Sequence, residues 1–136
     1  MTELLLGEHI FKEIVKQAEG QAPIEACGIL AGKDGVIEKF YEMTNADNSS
    51  DNFMLVPEEQ FAVVKDMRAE QLEMLAICHS HPESPARPSQ EDIRMAFTPG
   101  VVYVIVSLQD ASNPVIKGFN IEDGNVTEIM VTITKE

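Results

Sequence analysis

The chain predicts an α/β fold, a mixed β-sheet with helices packed on its faces. Three observations lead there. Two strongly apolar runs, "LEMLAICHS" and "VVYVIVSL", read as strands buried on both sides. Two stretches, "EHIFKEIVKQAEG" and "EEQFAVVKDMRAEQ", carry apolar residues at helical spacing. Shorter segments around "KDG" and "DGN" read as hairpins.

Taken in order, the first helix lines up Ile10, Ile14, Val15 and Ala18 and stops at Gly20, a C-terminal cap. "EACGILAG" and "GVIEKFYEMT" follow as paired strands. "NADNSSDN" reads as a mobile polar loop and "FMLV" as a possible further strand. Pro57 suits the first turn of the second helix, which turns Phe61, Val64 and Met67 inward. The strand "LEMLAICHS" leads into the loop "HPESPARP" and a short helix from Ser89 that ends before Pro99. "VVYVIVSL" is the next strand, and "PVIKGFNIE" with "VTEIMVTIT" completes the last hairpin. With no repeat, low-complexity tract or Gly/Ser linker, residues 1–136 form a single domain.

Composition excludes several functions. The 10 basic against 23 acidic side chains give a formal net charge of -13, a surface that repels phosphate backbones and argues against nucleic-acid binding. No apolar run approaches the ~18–20 residues that span a membrane, and no basic n-region marks a signal peptide. Cys27 and Cys78 sit in apolar sequence without a CxxC pair, which points to a reduced, cytoplasmic setting.

"CHSHPESPARPSQEDIRMAF" carries the chemistry. His79 and His81 stand two apart at a strand end, so the period of two sends both imidazoles to one side of the sheet. Asp92, in the first turn of the following helix, brings a carboxylate toward them. Two nitrogens and one oxygen leave a fourth tetrahedral position open, the arrangement of a catalytic zinc site. Each residue also has a plainer reading. A lone histidine is ordinarily a surface or core residue, and "SQED" reads well as an N-cap at Ser89 with Asp92 at N3. Capping and ligation are compatible, since a helix start holds a carboxylate in place. Glu25 alone reads as a solvated carboxylate before a strand. Metal-assisted hydrolysis needs a base for the water's proton, and Glu25 supplies one if its strand lies beside the histidine strand. Spacing alone does not establish that neighbourhood.

Glu25, His79-Ser80-His81-Pro82, Ser89 and Asp92 together match the pattern of the JAMM (MPN-plus) metalloproteases, and the chain resembles the short prokaryotic members along nearly its whole length. The "MTNAD" and "LVPEEQF" segments are similar to sulfur-carrier–cysteine peptidases. The resemblance implies a cytidine-deaminase-like sandwich and Zn2+ held by His79, His81 and Asp92. It implies Glu25 as general acid/base and Ser89 as donor to the tetrahedral oxyanion. The implied substrate is a small β-grasp ubiquitin-like or sulfur-carrier protein with a Gly-Gly tail, cut at an amide or isopeptide bond. Rival readings are a metal-independent binding module for such tails, a thiol hydrolase using Cys78, and a JAMM enzyme with a different substrate. Alternation disfavours the thiol, because Cys78 and His79 leave opposite faces of one strand.

Overall fold

A computed structural model describes residues 2–136. Ten elements run in the order β1 (Glu3–Gly7), α1 (Glu8–Gln21), β2 (Cys27–Lys33), β3 (Val36–Met43), α2 (Pro57–Ala69), β4 (Glu73–His81), α3 (Gln90–Arg94), β5 (Val102–Ser107), β6 (Val115–Glu122) and β7 (Asn125–Thr134). The mixed α/β class expected from the sequence is present. The expected cytidine-deaminase-like sandwich is corrected in one respect, because the sheet closes into a barrel in the order β1-β3-β2-β4-β5-β6-β7.

Closure depends on β1, which the sequence reading passed over. "ELLLG" is only five residues long and shows no strict alternation. Its Leu4 and Leu6 are nonetheless buried, because β1 pairs in parallel with β7 over Glu3–Gly7. On its other edge it meets β3 at Leu5, whose amide donates to the Gly35 carbonyl at 2.8 Å. The hairpins form where expected. Asp34-Gly35 and Asp123-Gly124 all take positive φ, the backbone that a two-residue turn between twisted strands requires.

The helices cover opposite faces of the sheet. α1 buries Ile10, Ile14 and Ala18 against Leu4, Leu6, Leu30, Ala76, Cys78, Val102 and Val104. It runs one residue past Gly20 before Ala22 and Pro23 end it. α2 covers the other face, where Met67 packs with Cys27, Ile29, Ala31 and Met43. Its inward stripe is Gln60, Val63, Val64 and Met67, a spacing of i, i+3, i+4, i+7. Phe61, expected inward, lies one position off that stripe and is 69% exposed, with the Lys65 ammonium 6.0 Å above its ring. "FMLV" forms no strand; only Leu55 makes an isolated bridge, to Asn45.

Candidate metal centre

The strand β4 separates two environments by simple alternation. Ala76 and Cys78 face α1, whereas Ile77 packs on the other side with Tyr103 and Ile105. His79 and His81 share the side of Ile77 and are 2% and 3% exposed. The "HPESPARP" segment then carries the chain to α3. There Ser89 Oγ accepts from the Asp92 amide at 3.0 Å, and Asp92 Oδ2 accepts from the Ser89 amide at 3.0 Å. That capping box, read from the sequence, fixes the Asp92 carboxylate over the strand end.

Three potential ligand atoms converge as a result. His79 Nε2 lies 3.2 Å from His81 Nε2 and 3.2 Å from Asp92 Oδ2, and His81 Nε2 lies 3.0 Å from the same oxygen. The His81 Nδ1–H donates to the Pro85 carbonyl at 2.8 Å, because a carbonyl can only accept. In the neutral ring this leaves a lone pair on Nε2, aimed at the carboxylate. Packed this closely, the three atoms hold together only with positive charge among them, a proton on an imidazole or a metal cation. The donor set of two imidazoles and one carboxylate fits zinc with a coordination position to spare. Burial alone would lower His81, but Asp92 and the Pro85 carbonyl outweigh it and raise its pKa. Burial would raise Asp92, yet the two histidines and the Ser89 amide hold it far below the usual carboxylate range. For His79 burial prevails, and its pKa falls.

The neighbourhood that spacing left open is present. β2 and β4 are antiparallel and pair Cys27 with His79; the Ser80 amide donates to the Ala26 carbonyl at 2.9 Å. Two residues further, Glu25 falls beside His81 on the same side of the sheet. Its side chain is 3% exposed rather than solvated, and its Oε1 is buried without a partner among the described residues. Burial lifts its pKa to about 8, with Asp92 and Asp51 adding and His81 opposing. A carboxyl group with a pKa near neutrality exchanges protons efficiently. Ser89 is exposed, and its O–H has no acceptor among the described residues.

Two residues escaped the sequence reading. Phe53 stacks on the His79 ring with centroids 4.5 Å apart, on the side chain whose Nδ1 has no hydrogen-bond partner. Asn45 is buried in the segment expected to be mobile, and it organises that segment. Its Nδ2 donates to the Glu25 and Asn52 carbonyls, each at 3.0 Å, and its Oδ1 accepts from the Asp47 and Met54 amides. The Glu25 amide donates to the Ser49 carbonyl at 2.9 Å. The only signal available in sequence was an Asn opening a polar loop. Beside Asp92, a pocket of about 280 Å³ is bordered by Phe53, Met54, Leu55, Met95, Phe97 and Tyr103. Cys78 is buried with its pKa pushed up to about 12 by that burial, which leaves little thiolate for the rival thiol chemistry.

Comparison with known proteins decides the family. The profile of prokaryotic homologs of the JAB domain, Prok-JAB, matches residues 7–121. The chain belongs to the Prok-JAB family. This Prok-JAB chain is 33% identical over 135 residues to the CysO-cysteine peptidase of Mycobacterium tuberculosis, covering 98% of the chain and 92% of that protein. It is 31% identical over 104 residues to a desampylase of Pyrococcus furiosus, covering 76% and 74% respectively. The solution structure of a Desulfitobacterium hafniense protein superposes with a TM-score of 0.91 at 40% identity, covering 98% of this chain and 94% of the other.

Proposed function

We propose that this Prok-JAB chain is a zinc-dependent hydrolase, acting in the cytoplasm as a single domain over residues 1–136. It cuts the amide or isopeptide bond that follows the Gly-Gly tail of a small β-grasp ubiquitin-like or sulfur-carrier protein. The observation that carries the reading is the convergence of His79 Nε2, His81 Nε2 and Asp92 Oδ2 within 3.2 Å of one another, with buried Glu25 alongside. Similarity to a peptidase named for a carrier–cysteine adduct, over 98% of the chain, supports the substrate class.

In this reading His79, His81 and Asp92 hold the metal. Zinc bound there supplies Lewis-acid activation of water and of the scissile carbonyl. Glu25 accepts a proton from the attacking water through its unpartnered Oε1 and delivers it to the departing nitrogen. The C–N bond breaks, leaving a carboxylate on the tail and a free amine on the other product. Ser89 turns its unengaged hydroxyl proton toward the oxygen that gains charge. His81 is kept in the ligating tautomer by the Pro85 carbonyl. The tail runs extended between the 45–54 and 82–88 segments, where residues without side chains pass close to the centre.

The test incubates zinc-loaded protein with Gly-Gly-tailed carrier conjugates, with Glu25→Gln in parallel, and weighs the products. Release of the intact carrier by the wild type alone is expected. Absence of cleavage of every conjugate sinks the hydrolase reading and favours a binding module for such tails.

A further inference from the structure

The ring of His81 is oriented by the Pro85 carbonyl, and that carbonyl sits in a segment with little backbone structure of its own. Across 82–88, Pro82, Pro85 and Pro88 carry no amide proton. Of the other amides there, only that of Arg87 donates to a backbone carbonyl, the one at Pro85, at 2.9 Å. Ala86 anchors the segment by packing with Ile77, Tyr103 and Ile105. Besides His81, one side chain hydrogen-bonds to this backbone among the described residues. It is Ser107, at the end of β5, whose hydroxyl oxygen lies 2.6 Å from the Ser84 carbonyl oxygen.

Ser107 is buried and pairs directly with His81 across β4 and β5. Alternation along β5 puts it on the side of Tyr103 and Ile105, which is the histidine side. The direction of its hydroxyl proton follows from its two partners. The Gln109 amide donates to Ser107 Oγ at 3.1 Å, and the proton goes to the Ser84 carbonyl, which can only accept. That carbonyl belongs to the planar peptide unit ending at the Pro85 nitrogen. From there to the Pro85 carbonyl the chain turns only through φ and ψ of Pro85, and the ring locks φ. The Arg87 amide restrains ψ through its own bond to the Pro85 carbonyl. Holding the Ser84 carbonyl therefore holds the Pro85 carbonyl, 2.8 Å from His81 Nδ1. The other imidazole has no such relay, since His79 Nδ1 is without a partner among the described residues.

We propose that Ser107 is a positioning residue of the metal centre: its hydroxyl fixes the Ser84–Pro85 peptide, and through the Pro85 carbonyl it keeps His81 Nε2 directed at Asp92. The inference rests on the metal reading above and deepens it by naming a residue that touches neither metal nor substrate. Removal of the hydroxyl leaves 82–88 tied to the sheet by Ala86 alone and lets the His81 ring turn. The fold survives that change, but Nε2 leaves the point it shares with His79 and Asp92.

The experiment titrates the full chain with zinc against a competing chelator and follows the His81 Nδ1 proton of the zinc-loaded protein by NMR. Ser107→Ala should bind zinc about tenfold more weakly, the lower end of what partners behind a ligand are worth. Its His81 Nδ1 proton should exchange with water faster than in the wild type, as a loosened hydrogen bond requires. Ser107→Thr keeps the hydroxyl and should keep the wild-type affinity. Val106→Ala, a neighbour on the same strand that packs toward α1, should lose stability in denaturant and leave zinc binding unchanged. Equal affinity in the wild type and Ser107→Ala overturns the proposal, as does weaker affinity without faster exchange. An equal loss in Ser107→Thr or Val106→Ala assigns the effect to packing and overturns it too. A wild type that binds no zinc removes the metal reading itself, and the role of Ser107 with it.

Discussion

The two faces of β4 are built from one nine-residue strand, yet they follow different rules. Toward α1, Ala76 and Cys78 pack among leucine, isoleucine and valine, and the hydroxyl of Ser80 accepts from the Ala26 amide at 2.8 Å. Among the described residues no buried polar side-chain atom on that face lacks a partner, and the rest of the face is apolar. Toward Asp92, His79 and His81 are just as buried, but their ring nitrogens face each other and a carboxylate, beside a glutamate with an orphaned oxygen. The first face stabilises the fold. The second concentrates polar groups in a conflict that a divalent cation would resolve, and burial costs such groups dearly when they are left unpaired. Stability and chemistry are thereby separated by a half-period of the strand, and substitutions should separate with them.

The largest effect is expected on the histidine side. Glu25→Gln should lower kcat by about 10²–10⁴-fold with zinc still bound, measured by stopped assays alongside metal content. Ser89→Ala should lower kcat by about 10²–10³-fold, the loss that accompanies removal of one oxyanion donor. The amide-capping role of Ser89 predicts a smaller loss of thermal stability in the same variant, of about 1 kcal/mol. Near-normal turnover with bound zinc would remove Ser89 from the chemistry and leave it a cap.

On the α1 side the pattern should invert. Ile14→Ala, at a position 1% exposed, should cost about 2–5 kcal/mol in denaturant unfolding while zinc affinity stays at the wild-type value. A matching loss of zinc affinity would show that the two faces are not independent.

A smaller and more diagnostic effect concerns pH in metal-free protein. Glu25 keeps its proton in the folded chain up to about pH 8, whereas the unfolded chain releases it near the ordinary value of 4.5. Between those values the folded state holds a proton that the unfolded state lacks, so this group's contribution to stability falls as pH rises. Glu25→Gln has no such proton. Its stability relative to wild type should therefore increase from pH 5 to pH 8, by about 3–4 kcal/mol. A difference that is flat across this range would mean that Glu25 is solvated.

Much of this is legible in the sequence alone. The strands, the hairpins over Asp-Gly turns, the shared direction of His79 and His81, and the capping box at Ser89 and Asp92 all follow from local periodicity and local hydrogen bonds. What was not legible depends on pairing between distant segments. Nothing within "ELLLG" announces a strand, because its partner lies more than a hundred residues away in β7. The burial of Glu25 follows from the β2–β4 register and from Asn45 folding its loop over the strand start, neither of which has a local signature. Phe61 was misplaced for a related reason: helical spacing defines a stripe only to within one residue, and tertiary packing selected Gln60, Val63, Val64 and Met67.

The central claim is that His79, His81 and Asp92 clasp one divalent cation. Its most direct test is elemental analysis of zinc-reconstituted, gel-filtered protein, with Asp92→Ala treated identically. The account predicts one zinc per chain in the wild type and a substoichiometric amount in the variant. A wild type that retains no zinc, or a variant that retains as much, would contradict it.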